Sequence, residues 1–275
     1  MQKYLNKLFT GDNIQFCKEL PADCIDLIVT SPPYDNMRSY KNKQDEQNYN
    51  GYSFDFEGLA KELYRVMKPG GVIVWVVGDA IINGSESLNS FRQALYFKEV
   101  GFNIHDTMIY QKTGTRFPEK TRYSQIFEYM FVISKGRPKT VNIIKDRKNK
   151  WAGHTNWGHG GHRLKNGEMV RRPKAKPYAE YGSRFNIWIF KNGFGFSSKD
   201  KLAYKHPATF PEDLAGDHIK SWSNKGDVVF DPFMGSGTTA KMAILNDRKY
   251  IGVDISQEYT DLANERLAKL VNEKS

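Results

Sequence analysis

The sequence contains only two cysteines, Cys17 and Cys24. They are too few for a disulfide framework and lack the spacing of a zinc ribbon, so both read as buried apolar fillers. No apolar run approaches the roughly 18 residues that a membrane-spanning helix needs. The first nine residues lack the continuous apolar stretch and small-residue cleavage site of a secretory signal. The chain is therefore expected to be cytoplasmic, with no membrane partner. No internal repeat is visible, which excludes a solenoid.

What is present points to one large domain with an inserted module. A chain of 275 residues with 39% hydrophobic and 13% aromatic content can bury a substantial core. Its formal charge is +10, and the excess is concentrated: between Lys135 and Arg184 there are fourteen basic residues against three acidic ones. Clustered Lys and Arg bind phosphates by releasing condensed counterions, so this stretch predicts a polyanionic partner. The candidate contacts are Lys145, Arg147, Lys148, Lys150, Trp151, His154, Arg163, Lys165, Arg171, Arg172, Lys174 and Lys176. Trp151, Trp157, Tyr178 and Tyr181 interleave with these charges, a composition suited to backbone contact plus base stacking. His154, His159 and His162 have glycines around them and no neighbouring Cys or carboxylate ligands, so contact with phosphate or base, or solvation, is expected there and no metal.

Short runs rich in Val and Ile lie at Cys24–Thr30, Val72–Gly78, Asp227–Asp231 and Tyr250–Asp254. Such runs predict parallel strands buried on both faces. Apolar spacing of three and four predicts helices over Phe56–Met67, Ser87–Val100, Pro211–Trp222, Ser236–Asn246 and Ser256–Val271. The alternation implies an α/β fold with a doubly wound, mostly parallel sheet. Thr107–Lys112 and Phe127–Lys135 add two strands, expected at one sheet edge. The basic stretch interrupts this order, giving a division into 1–135, a basic region over 136–184, and 185–275 as the second half of the same domain.

Two motifs fall just beyond predicted strand ends, where open α/β sheets place their ligands. In Thr30-Ser31-Pro32-Pro33-Tyr34, two prolines fix the backbone, so the Ser31 hydroxyl and Pro32 carbonyl become rigid acceptors beside the flat face of Tyr34. Acceptors aligned to both N–H bonds of an exocyclic amine favour its pyramidal, nucleophilic form. Ser-Pro-Pro is also a common turn. The second motif runs from Asp231 to Thr239, DPFMGSGTT, where Gly235 and Gly237 let a ligand approach a helix N-terminus. It lacks the lysine of a P-loop and the third glycine of a dinucleotide fingerprint, so a less anionic nucleoside cofactor fits better. At the end of the next predicted strand, Asp254 can accept hydrogen bonds from ribose hydroxyls, or cap the helix near Ser256.

TSPPY, DPFMGSGTT and GVDIS together resemble the motifs of the amino-group DNA methyltransferases, in the permuted order with the catalytic tetrapeptide ahead of the cofactor loop. The resemblance spans most of the chain and implies the Rossmann-like methyltransferase fold, S-adenosyl-L-methionine as cofactor and double-stranded DNA as substrate. It implies that Ser31, Pro32, Pro33 and Tyr34 hold a flipped-out base. It also implies a cofactor pocket drawn from Asp12, Thr30, Asp231, Pro232, Phe233, Gly235, Ser236, Gly237, Thr238 and Asp254. His206, Pro207 and Phe210 of HPATFP resemble the segment that closes over the methionine end of the cofactor. The basic region would be the target-recognition region, and the family context allows a cognate restriction endonuclease and a homodimer. Ser at the first tetrapeptide position, with HPATFP, resembles members that modify cytosine N4; adenine N6 is the alternative, since Asp is commoner there and either side chain offers an acceptor. An RNA or protein methyltransferase, or a DNA-binding module with a relic pocket, are more distant readings. Methylation of cytosine carbon 5 is disfavoured, because neither cysteine follows a proline at a strand end to act as a thiolate nucleophile.

Overall fold

The computed structural model describes residues 1–33, 55–114, 121–155, 161–171 and 176–274. Two compact units are present, one formed by Met1–Asn142 with Asn186–Ser275, the other by Ile143–Phe185.

The first unit is built on an eight-stranded sheet. In chain order its strands are β1 (Lys7–Thr10), β2 (Ile25–Thr30), β3 (Met67–Val77), β4 (Asn103–Lys112), β5 (Phe127–Ser134), β6 (Ile187–Phe190), β7 (Val228–Asp231) and β8 (Lys249–Asp254). Their spatial order is β1-β8-β7-β2-β3-β5-β4-β6. Every neighbouring pair is parallel except those of β5, which runs against both β3 and β4. The expectation that the two later strands close one edge is corrected here. β5 is internal, and β4 is covered by β6, whose Ile187–Phe190 pair in parallel with Ile109–Lys112.

Side chains alternate across a strand, so each central strand serves two cores. Ile28, Ile73, Trp75, Phe131, Ile133 and Phe230 face one core with Phe16, Leu59, Leu63 and Phe97, which belong to helices α1 (Asn13–Glu19), α2 (Phe56–Val66) and α3 (Asn89–Val100). Leu27, Val29, Val74, Met130 and Val132 are buried on the opposite face. There α4 (Glu212–Trp222), α5 (Thr238–Leu245) and α6 (Gln257–Lys274) pack, with His218 Nε2 3.2 Å from Met130 Sδ. Cys17 and Cys24 are both buried in the first core, as expected of apolar fillers.

Several boundaries move for local reasons. α2 stops at Val66 because Met67 is already extended, so β3 begins there and not at Val72. α5 begins at Thr238, since Gly237 holds φ +76° and cannot continue a helix backwards. β1 and α1 are additional elements, and Asp12 caps α1 by accepting from Gln15 N at 2.9 Å.

The second unit contains no helix among its described residues. Arg147–Lys148 pair antiparallel with Tyr181–Gly182, and Gly161–Arg163 with Met169–Arg171. Among all described residues, no helix is long and apolar enough to cross a membrane.

Candidate active site

Because β1, β8, β7 and β2 are parallel neighbours, their carboxyl ends open on the same side, and the chain segments leaving them converge. Two of these ends are joined directly. Thr30 Oγ1 donates to Asp231 Oδ1 at 2.6 Å, and Phe233 N donates to the same oxygen at 3.0 Å. Complete burial pushes the Asp231 carboxyl up to about 6, partly offset by the donors Thr30 and Phe233. Thr239 Oγ1 also donates to Val29 O at 3.0 Å, fastening the start of α5 to β2.

Above this junction lies a cavity of about 600 Å³, in the range of small-molecule sites. Ser31, Pro32 and Pro33 line it after β2, and Pro232, Phe233, Gly235 and Ser236 line it after β7. Thr238 at the start of α5, Asp254 at the end of β8, and His206, Pro207 and Phe210 complete the predicted residues found on its wall. The tetrapeptide segment and the glycine turn, some 200 residues apart in sequence, thus share one space.

Asp254 is a hub of this wall. Its Oδ2 accepts from Gly235 N and its Oδ1 from Ser256 N, both at 2.9 Å. The Ser256 bond is an Asx-type turn just ahead of α6, whose first turn is capped by Ser256 instead, with Tyr259 N donating to Ser256 Oγ at 3.4 Å, and the Asp254 side chain also lines the cavity. Burial raises the Asp254 carboxyl, and the two N–H donors pull it partly back. Gly235 holds φ +47°, and a Cβ there would lie 2.9 Å from the His206 ring. That ring meets Tyr259 edge-on, with centroids 4.3 Å apart.

Four predicted residues are not on the wall. Thr30 and Asp231 form the buried floor. Asp12 is occupied as the α1 cap, while its neighbours Gly11 and Asn13 line the cavity. Gly237, expected to admit a ligand, faces protein instead: a Cβ there would sit 3.0 Å from Ala263 Cβ of α6. Tyr34 lies outside the described residues, as do Trp157, His159, Arg172 and Lys174; side chains of His162 and Arg171 are likewise not described.

Sequence reading missed the far wall. Tyr110 and Lys112 on β4 and Glu128 on β5 face the cavity, with Lys112 Nζ 2.6 Å from Glu128 Oε1. Because β5 is reversed, its amino end reaches the side where the parallel strands end, which the register of Tyr110 against Glu128 shows. Also missed was Arg266, whose side chain is fully buried on α6. It donates to Ser236 O at 2.9 Å and Thr238 Oγ1 at 3.1 Å, and pairs with Asp200 and Glu212. A lone arginine on a helical repeat carries no signal of such burial.

In the second unit, Lys145, Lys148, Lys150, Trp151, His154, Arg163, Lys165 and Lys176 are exposed. Arg147 is engaged locally, donating to Ser183 O at 3.0 Å and lying over the Phe185 ring. Arg184 holds the Asp146 carboxyl below its usual range.

Residues 25–265 match the family model described as DNA methylase, whose members act on adenine N6 or cytosine N4. The chain belongs to this family. The methylase is 62% identical to the orphan methyltransferase M.BamHII of Bacillus amyloliquefaciens, over 92% of this chain and 93% of that one. Among solved structures, it resembles the PvuII DNA methyltransferase, described as cytosine-N4-specific, with a TM-score of 0.68 at 22% identity, covering 94% of this chain and 84% of that one. A Thermus thermophilus protein described as a candidate DNA modification methylase, solved in complex with S-adenosyl-L-methionine, superposes with a TM-score of 0.61 at 22% identity, covering 96% of this chain and 93% of that one. The methylase fold is thus the mixed, mostly parallel sheet of the S-adenosylmethionine-dependent methyltransferases, and the chain is a DNA amino-methyltransferase.

Proposed function

We propose that the methylase transfers the methyl group of S-adenosyl-L-methionine to the exocyclic N4 of a cytosine flipped out of double-stranded DNA. The observation that carries this reading is the shared cavity: Ser31, Pro32 and Pro33 open into the space lined by Gly235 and Asp254. The residues suit the cofactor. Asp254 supplies a carboxylate for ribose hydroxyls, Phe233 and Ile255 supply apolar surface for a purine, and the HPATFP segment covers the remaining end. When bound, the cofactor supplies a methyl group already activated by a sulfonium.

The chain's own part is then orientation. Ser31 Oγ and the Pro32 carbonyl accept the two N–H bonds of the target amine and turn its lone pair out of the ring plane. Tyr34 stacks the base. Pro32 and Pro33 keep the acceptors from relaxing, so the amine is held in attacking geometry. The exposed cations of Ile143–Phe185, with Arg171, Arg172 and Lys174, dock the duplex through its phosphates, and Trp151 and His154 approach the bases.

Cytosine is favoured over adenine by serine at position 31 and by the cytosine-N4 specificity stated for the PvuII enzyme. The orphan label of the Bacillus amyloliquefaciens relative favours action without a cognate endonuclease. The test is to methylate DNA with the purified protein, digest it to nucleosides and identify the product by mass spectrometry. N4-methyl-2′-deoxycytidine is expected; N6-methyl-2′-deoxyadenosine would overturn the choice of base.

A further inference from the structure

The ion pair between Lys112 and Glu128 joins two neighbouring strands at the far wall of the cavity. Glu128 is 7% exposed while Lys112 is half-buried, and taking a carboxylate out of water is seldom repaid in stability by one ion pair alone. A well-packed apolar pair would serve the sheet as well. Yet the pair is turned into the cavity, beside Tyr110.

Its place in the sheet says which part of the reaction it faces. The strand order is β1-β8-β7-β2-β3-β5-β4-β6. Asp254 and the glycine turn follow β8 and β7, and Ser31 follows β2. Glu128 stands two strands beyond β2 on the other side, about 10 Å away, and about 19 Å from the strand bearing Asp254 at the usual strand spacing. The pair therefore lies past Ser31, away from the cofactor half of the cavity, where the methyl acceptor must sit.

Resting on the function proposed above, we infer that Lys112, held by Glu128, donates a hydrogen bond to the ring nitrogen adjacent to the amine-bearing carbon of the flipped base. Cytosine and adenine both carry an acceptor there, N3 and N1 respectively, whereas thymine and guanine carry an N–H. An ammonium offers three donors and no acceptor. It matches the first pair of bases and opposes the second, so it selects amino bases over oxo bases before chemistry begins. Glu128 is a positioning residue: it fixes Nζ at 2.6 Å and prevents the flexible stem from sampling other rotamers.

The test is a cycle between enzyme and base. Duplexes carry either cytosine or 3-deazacytosine at the modified position, the latter replacing the acceptor nitrogen with C–H. The wild type should lose about ten- to a hundredfold in kcat/KM on the deaza duplex. Lys112→Met should lose a similar factor on ordinary DNA, keep its affinity for S-adenosylmethionine, and show no further loss on the deaza duplex. Equal deaza penalties in both enzymes would overturn the inference. Should Lys112→Met fail to fold, the near-isosteric Glu128→Gln decides: a raised KM for DNA, unchanged kcat and a reduced deaza penalty are expected, and a penalty equal to the wild type's overturns it. If the product proves to be N6-methyladenine, the cycle is run with 1-deazaadenine, so the choice of base can fail while this inference stands or falls separately.

Discussion

An alanine at position 235 would need φ +47° and would press its Cβ to 2.9 Å from the His206 ring, whereas at 237 it would need φ +76° and meet Ala263 Cβ at 3.0 Å. Left-handed backbone costs a side chain roughly 1–2 kcal/mol in either case, but the neighbours differ in kind. Gly235→Ala should weaken S-adenosylmethionine binding as well as stability, because His206 is on the cavity wall. Gly237→Ala should lower stability by a comparable amount and leave the cofactor Kd near wild type; calorimetry and urea unfolding separate the two. The glycine pair was legible in the sequence, but the difference was not, because it depends on α6, which arrives from later in the chain. Asp231 gives a pH test. Its carboxyl sits at about 6 in the folded chain against an ordinary 3.8, so between those values the folded state holds a proton that the unfolded state has lost. Stability should therefore fall as pH rises through that window, by no more than about 3 kcal/mol. Asp231→Asn, which keeps an acceptor for Thr30, should lack this slope in denaturation series across the same range.

At the scale of elements, α6 and the start of α5 are tied by Arg266, which reaches Ser236 O and Thr238 Oγ1 while pairing with Asp200 and Glu212. Arg266→Met leaves two half-buried carboxylates short of a cation, although Glu212 keeps Lys241 at 2.8 Å, and it removes the donor to Ser236 O. The expected loss is about 2–3 kcal/mol in urea unfolding. The central strands were readable because Leu27–Val29 and Val72–Val77 are buried on both faces and therefore apolar without interruption. β1 was not, since Lys7–Thr10 is an edge strand of mixed polarity. The reversed β5 was recognised as a strand but misplaced, because an apolar run does not record its neighbours. With that misplacement the inward aim of Glu128 and Lys112 was lost, although the period of two already put Tyr110 and Lys112 on one face.

Across the whole molecule, charge is divided unevenly: Ile143–Phe185 holds eleven basic and three acidic residues. If those cations meet phosphates, Lys148→Ala with Lys150→Ala should lower the slope of log K against log salt by roughly 0.9 for each phosphate no longer neutralised, with cofactor affinity unchanged; fluorescence anisotropy over a salt series reads this directly. The order of the motifs and the placement of ligands at strand ends could be foreseen from the alternation of strands and helices. That two segments so distant in sequence enclose one cavity required the strand order itself. Turnover by Ser31→Ala at saturating cofactor, measured beside calorimetric binding of S-adenosylmethionine, tests that union most directly. The account predicts a wild-type Kd with turnover reduced at least about a hundredfold; turnover near that of the wild type would contradict it.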